Sequence, residues 1–352
     1  MSTSPKIKTR FLILSDTHTA TPSSAANNNV TAFRSPLPRA DVLLHCGDLT
    51  MIGHLEEYEK TLSFIAEVDA PLKLVIAGNH DISLDEEYYA RRGQSMQRLK
   101  TPDADLPRRA RELWTGERAR AAGVRYLEEG THEFTLMNGG KLRVYASPYQ
   151  PEFCDYRLPS SVSRWLFSTA LGMLLKPSQA FPYFRNQDRF NPPHAATPGA
   201  VPIATNPVPD FPAIDVMMTH GPPMNIRDEV RFSGGHVGCE HLLRAARRCK
   251  PRLHCFGHIH EGWGAELVTW KEGEEVDDKW EEHVTTTKVA EVDEEKARED
   301  GGVYVDASES EGGGKGVDFG RETLMVNASI MTVRYKPCNA PWVVDLDLEK
   351  AV

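Results

Sequence analysis

Five short, largely apolar runs in this chain each end in a turn that carries aspartate, asparagine or histidine. Phe11–Leu14 leads into Ser15-Asp16-Thr17-His18, Val42–Leu44 into His45-Cys46-Gly47-Asp48, and Leu72–Ile76 into Ala77-Gly78-Asn79-His80-Asp81. Ile214–Met218 leads into Thr219-His220-Gly221-Pro222-Pro223, and Leu253–Phe256 into Gly257-His258-Ile259-His260. Short apolar runs bounded by glycine predict buried strands of an α/β sheet. Helix-like segments lie between them, roughly Leu55–Val68, Pro107–Ala122 and Cys239–Cys249. In open α/β sheets, ligand-binding groups collect in the loops beyond the carboxyl ends of the strands. A chain of this pattern is expected to gather its polar turns at one edge.

Further strand candidates, Glu133–Leu136, Leu142–Ala146, Leu324–Asn327 and Trp342–Leu346, follow one another with little helix between. Part of the sheet is therefore expected to be antiparallel, or a second sheet to exist. The 352 residues read as a single domain, 1–352, with insertions at about 148–212 and 271–317. The first insertion is rich in proline and in aromatics, among them Trp165, Phe167, Phe181, Tyr183, Phe184 and Phe190. Proline opposes regular structure there, while the rings give the segment something to bury. A local core accounts for these rings better than a nucleobase platform, although rings lining a cleft would favour a nucleotide substrate. The second insertion holds acidic clusters and the run Glu311-Gly-Gly-Gly-Lys-Gly316, a composition expected to stay disordered.

The net charge of −9 belongs mostly to that second insertion, because residues 271–300 alone hold 13 acidic and 5 basic side chains. The rest is nearly neutral and has no basic track, so a nucleic-acid polymer is not an expected partner. A protein partner could use the acidic segment. The six cysteines are scattered without a C-x-x-C pair, and Met1–Arg10 lacks the apolar core of a signal peptide. No apolar run approaches the roughly 18 residues that span a bilayer. Free thiols, no membrane and a cytoplasmic location are expected, with a nuclear one left open; the oligomeric state is unknown.

The turn residues form a chemical set. Asp16 and His18 are two apart, so at a strand end both point to the same side. With Asp48, Asn79, His220, His258 and His260 they make a group of oxygen and nitrogen donors without thiolate, which suits Mn, Fe or Zn. Seven side chains exceed the needs of one cation but match two sharing a bridging carboxylate. Two cations roughly 3.5–4 Å apart stabilise the attacking and leaving oxygens of an in-line displacement at phosphorus.

The motifs D-x-H, G-D, G-N-H-[DE], T-H-G and G-H-x-H, in that order from Asp16 to His260, resemble those of the calcineurin-like metallophosphoesterase superfamily. The resemblance implies an α/β/β/α fold, a two-layered mixed β-sheet sandwich flanked by helices. Cys46–Thr50, Gly78–Asp81, Thr219–Pro223, Val237–Cys239 and Lys250–Gly262 more narrowly resemble the brain-type metallophosphodiesterases of animals and their fungal relatives. Animal members can lack one histidine of the last motif, whereas this chain has both His258 and His260. The chain departs from the Ser/Thr protein phosphatases, which follow G-D with V-D-R-G and end the third motif in glutamate. Here Leu49-Thr50-Met51 follows Asp48, and Asp81 ends the third motif.

The resemblance implies that Asp16, His18 and His260 hold a first metal, that Asp48 bridges, and that Asn79, His220 and His258 complete a second. A hydroxide bridging the metals would attack phosphorus, with His80 facing the leaving oxygen as acid or stabiliser and Asp81 orienting His80. The expected activity is hydrolysis of small phosphodiesters, cyclic nucleotides included. The alternatives are a phosphomonoesterase or protein phosphatase, or a weakly active metal-binding scaffold. Other polar residues read more plainly: His45 as structural, His54 as surface, and Arg244, Arg247 and Arg248, on a helix with His241 near its start, as a solvated helix face. Arg227 and Arg231 are better placed to meet substrate, with a structural role the favoured reading.

Overall fold

The computed structural model describes residues 5–24, 31–152, 179–231, 234–273, 283–309 and 316–351. Within them thirteen strands join one hydrogen-bonded network. In chain order they are β1 Lys6–Leu14, β2 Val42–His45, β3 Leu72–Val75, β4 Val124–Tyr126, β5 Gly130–Thr135, β6 Gly140–Ser147 and β7 Val216–Thr219. β8 Leu253–Phe256, β9 Gly264–Trp270, β10 Val284–Val289, β11 Val303–Asp306, β12 Glu322–Asn327 and β13 Trp342–Lys350 follow. The spatial order is β10-β9-β12-β8-β7-β6-β13-β1-β2-β3-β4, with β5 beside β6 and β11 beside β13. β6 and β13 meet only through Glu349 with Lys141 and Lys350 with Gly140, so the network divides into two half-sheets, joined at that corner and by a bridge of Ser15 with Ser329. Parallel pairs sit at the centre of each half, and the antiparallel pairs include β1 with β13 and β9 with β12.

Alternation along the strands builds three cores. Phe11, Ile13, Val42, Leu44 and Leu74 of one half-sheet form an inner cluster with Val144, Val216, Met218, Leu253 and Val326 of the other. The opposite face of the first half, Leu12, Leu14, Leu43 and Val75, packs with Tyr58, Leu62 and Ile65 of α1 (Leu55–Glu67). α2 (Glu86–Met96), α3 (Leu106–Thr115) and α4 (Glu117–Ala121) complete that layer, Trp114 lying fully buried. On the far side Tyr145, Met217, Phe256 and Met325 pack with Leu242, Leu243 and Ala246 of α5 (Glu240–Cys249). Two layers of sheet between two layers of helix is the expected α/β/β/α arrangement. Burial on both faces explains why the strands read as nearly continuous apolar runs.

Local chemistry sets the element ends. α1 starts where the His54 N–H donates to Glu57 Oε2 at 2.9 Å, a capping box that gives His54 a structural role. The single helix expected over 107–122 is two, because Gly116 is extended between α3 and α4 (φ −76°, ψ 179°).

The second insertion departs from the expectation of disorder over 271–317. β10 pairs with β9, and β11 pairs in parallel with β13. Between them Asp293 caps α6 (Glu294–Asp300), its carboxylate accepting from the Glu295 and Lys296 N–H groups. The acidic cluster at 293–295 is a helix start, where carboxylates offset unpaired amides and the helix dipole. Residues 274–282 and 310–315 lie outside the described residues. In the first insertion Tyr183 and Phe190 are buried in the α5-side core and Phe181 in the opposite one, so these rings serve packing. Phe184 is half-buried; Trp165 and Phe167 lie outside the described residues.

Candidate metal centre

The five turns lie against one another at the strand ends. Asp16 N–H donates to the Gly47 carbonyl at 2.9 Å and His18 N–H to the Asp48 carbonyl at 3.0 Å, zipping the first turn to the second. Gly257 N–H donates to the His220 carbonyl at 2.9 Å, and His258 N–H reaches the Asp16 carboxylate at 3.0 Å. Asp16, His18, Asp48 and His258 all have positive φ (53°, 43°, 53° and 66°). Such conformations cost about 1–3 kcal/mol each in non-glycine residues and persist where the surroundings overdetermine them. Glycine is required at two of these contacts: a Cβ at Gly78 would land on the Asp48 carboxylate, and one at Gly257 on the Asp16 carboxylate.

This packing brings all seven candidate ligands together. Asn79 Oδ1 lies 2.8 Å from both His220 Nε2 and His258 Nδ1. Asp16 Oδ1 lies 3.5 Å from His260 Nε2. Asp48 sits between the groups, Oδ2 lying 3.5 Å from His18 Nε2 and Oδ1 3.5 Å from His220 Nε2. Ligand atoms of Asp16, His18 and His260 converge within 4.8 Å, as do those of Asp16, Asp48 and His220.

Three imidazoles are aimed by backbone carbonyls. Nδ1–H of His18 donates to Thr50 O at 2.9 Å, that of His220 to Cys46 O at 2.9 Å, and that of His260 to Thr332 O at 3.1 Å. Each ring then turns its Nε2 inward, the usual support for a ligating histidine. His18 Nε2 is buried with no hydrogen-bond partner, a costly arrangement that a cation would relieve. Burial holds the imidazoles of His18 and His258 down, to about 4 and about 3, so at neutral pH both are uncharged donors. Burial works against a charged Asp16, but its hydrogen bond with His260 prevails and holds the carboxyl low. Uncharged His18 and His258 beside two buried carboxylates fit one or two divalent cations.

His80 stands at the rim. Its N–H donates to Asp48 Oδ1 at 2.8 Å, its Nδ1–H to Met51 O at 2.6 Å, and its ring meets His18 edge-on at 4.6 Å. Asp81 does not orient this ring, contrary to expectation. Its buried carboxylate instead accepts from the N–H groups of Leu49, Thr50 and Gly78 and from the Thr50 hydroxyl, tying the Asp48 turn to the Asn79 turn. Burial and then the nearby Asp48 charge push the Asp81 carboxyl up to about 7.

The remaining candidates stay outside the cluster. His45 Nε2 pairs with the Thr17 hydroxyl at 2.9 Å, and His241 with Thr197 and the Arg185 carbonyl. Arg227 donates to Ala265 O and lies beside Glu266, Arg231 is exposed, and Arg244 donates to Ala195 O. Arg247 donates to the Gly273 carbonyl and Arg248 to Val208 O, so neither belongs to a purely solvated face. Sequence reasoning missed Thr50, Thr332 and Asn327, which act through backbone carbonyls or on them. The Asn327 amide donates to Ile259 O at 2.9 Å and to Arg227 O, shaping the last turn. Tyr335, whose ring lies 4.9 Å from that of His18, was also missed; no motif flags it.

No helix among the described residues is long and apolar enough to cross a membrane. A model of the calcineurin-like phosphoesterase family matches residues 9–262. Metallophosphoesterase domain-containing protein 1 of Homo sapiens is 27% identical over 342 residues, 96% of this chain and 71% of the relative, and that of Mus musculus is equally similar. A UPF0046 protein of Caenorhabditis elegans is 27% identical over 256 residues, 72% of this chain and 64% of that protein. The motif turns, all within the matched span, and the two-sheet architecture that packs them together agree: this chain belongs to the calcineurin-like phosphoesterase family.

Proposed function

We propose that the chain is a two-metal hydrolase of small phosphodiesters. The observation that carries this reading is the place of Asp48, with one carboxylate oxygen 3.5 Å from His18 and the other 3.5 Å from His220. Asp16, His18 and His260 would hold one cation, Asn79, His220 and His258 the other, and Asp48 would contact both. Bound Mn, Fe or Zn would supply the positive charge that acidifies water and neutralises the phosphoryl oxygens.

The protein's own part is positional. The turns fix the donors before substrate arrives, and the Met51 carbonyl holds the Nδ1 proton of His80. His80 Nε2, when it too carries a proton, is the atom that would give it to the departing alkoxide. A diester is favoured because Arg227, Arg244, Arg247 and Arg248 are engaged with carbonyls elsewhere. A dianionic monoester would call for more cationic neighbours than a monoanionic diester does.

The test compares bis-p-nitrophenyl phosphate with p-nitrophenyl phosphate on Mn-loaded protein. Faster turnover of the diester, abolished by Asn79→Ala, supports the reading. A strong monoester preference overturns the diester assignment, and no turnover by fully metallated protein on a broad phosphoester panel leaves a metal-binding scaffold.

A further inference from the structure

Tyr335 lies at the candidate centre but belongs to none of its motifs. It sits in the connection between β12 and β13, on a tight loop in which Tyr335 N–H donates to Thr332 O at 2.8 Å and Thr332 N–H to Lys336 O at 2.9 Å. The loop is anchored below: Ile330 N–H donates to Ser15 O at 2.9 Å, and the Asn339 amide to Ser329 O and Met331 O. The Thr332 carbonyl that takes the Tyr335 N–H also holds His260 Nδ1, so loop and ligand share an anchor. Tyr335 has φ 53°, a conformation unusual for a bulky residue and kept only where the surroundings enforce it.

The loop aims an aromatic ring at the site. Tyr335 lies edge-to-face with His18, His260 and His80 at 4.9, 5.3 and 6.1 Å between ring centres. Its hydroxyl is 3.5 Å from His80 Nε2, a long hydrogen bond that makes both atoms face the same space. Yet the residue is 43% exposed, which leaves part of the ring to meet a ligand.

Building on the phosphodiesterase reading above, we infer that Tyr335 is a second leaving-group residue. Its hydroxyl shares the departing oxygen with His80, and its ring walls the organic part of the leaving alcohol, favouring esters of aromatic or heterocyclic alcohols. As the oxygen of an attacking hydroxide bonds to phosphorus, the bond from phosphorus to the leaving oxygen breaks. The leaving oxygen keeps the electron pair and takes the Nε2 proton of His80. Tyr335 donates a hydrogen bond to the same oxygen and keeps its proton.

Two variants test this, with metal content measured for each. Donation to the leaving oxygen matters most when that oxygen is basic. Tyr335→Phe is therefore expected to lower kcat on diphenyl phosphate about 10-fold, a hydrogen bond's worth, and on bis-p-nitrophenyl phosphate by less than about 3-fold. KM and bound metal stay unchanged in that variant, since the ring remains. Tyr335→Ala is expected in addition to raise KM and, in calorimetry, to weaken phenylphosphonate about 10-fold relative to inorganic phosphate, from the loss of ring contact. Equal losses on both esters in Tyr335→Phe, or unchanged relative affinity for the two ligands in Tyr335→Ala, overturn the inference. Absence of turnover in the metallated wild type counts against the phosphodiesterase reading, whereas the calorimetric comparison judges the ring wall on its own.

Discussion

The carboxylate of Asp81 takes both the backbone N–H and the hydroxyl of Thr50, at 3.0 and 2.7 Å. The Thr50 carbonyl in turn holds Nδ1 of His18. Asp81 thus governs a candidate ligand it does not touch. Asp81→Asn leaves at least one of its buried partners short of an acceptor, a loss of about 1–3 kcal/mol. Thermal unfolding should show that loss, and elemental analysis should show metal falling in step with turnover. Full metal with lost turnover would instead place Asp81 in the chemistry.

His80 meets the rim through its Nε2 and contributes none of the seven donors. His80→Ala is expected to cut kcat about 10²–10⁴-fold, the usual worth of a general acid, with metal content close to wild type. Metal lost along with activity would refute this division of labour.

Asn79 Oδ1 is the point where His220 and His258 converge. Asn79→Ala is expected to lower bound metal from about two ions per chain to about one, measured by elemental analysis after dialysis. Chelation should also lower the melting temperature of the wild type. A ligand at a hundredfold its Kd adds about 2.7 kcal/mol, and the variant should show a smaller effect. Equal metal content in variant and wild type would argue against the second cation.

His254 lies on β8 beneath the site, its Nε2 2.8 Å from the Thr219 hydroxyl. Burial holds its imidazole down to about 3, from an ordinary 6.5. The unfolded chain therefore takes up a proton below pH 6.5 that the folded chain refuses. Stability is full above that pH and falls steadily toward pH 3, by about 2–3 kcal/mol at pH 4.5. His254→Gln keeps a neutral donor for Thr219, so urea unfolding at pH 7.5 and 4.5 should show a smaller acid loss in the variant than in the wild type. Identical losses would exclude His254 as a source of acid sensitivity.

What could be read in the chain follows from burial. Strands covered on both faces must be apolar at nearly every position, so β1, β2, β3, β7 and β8 stand out together with the turns they end in. The pairing of the half-sheets was not legible, because an apolar run does not reveal which neighbour covers which face; the family resemblance supplied that. The orientation of His80 was misread because the atom that fixes it is the Met51 carbonyl, and every residue has a carbonyl. Composition likewise misjudged 283–309, whose strands are ordered by backbone pairing and whose helix begins at Asp293, an acidic residue that reads equally well as solvated loop.

The corner where β6 meets β13 is narrow, two residue pairs wide. Asp16, His18, Asp48 and Asn79 follow strands of one half-sheet, whereas His220, His258 and His260 follow strands of the other. Both proposed cation sites draw on both halves, so each ion would be a rivet beside a seam whose backbone stitches are that corner and the bridge of Ser15 with Ser329. Pulling the halves apart would mean tearing out the metals, and removing the metals would leave the apolar interior as the main grip between them.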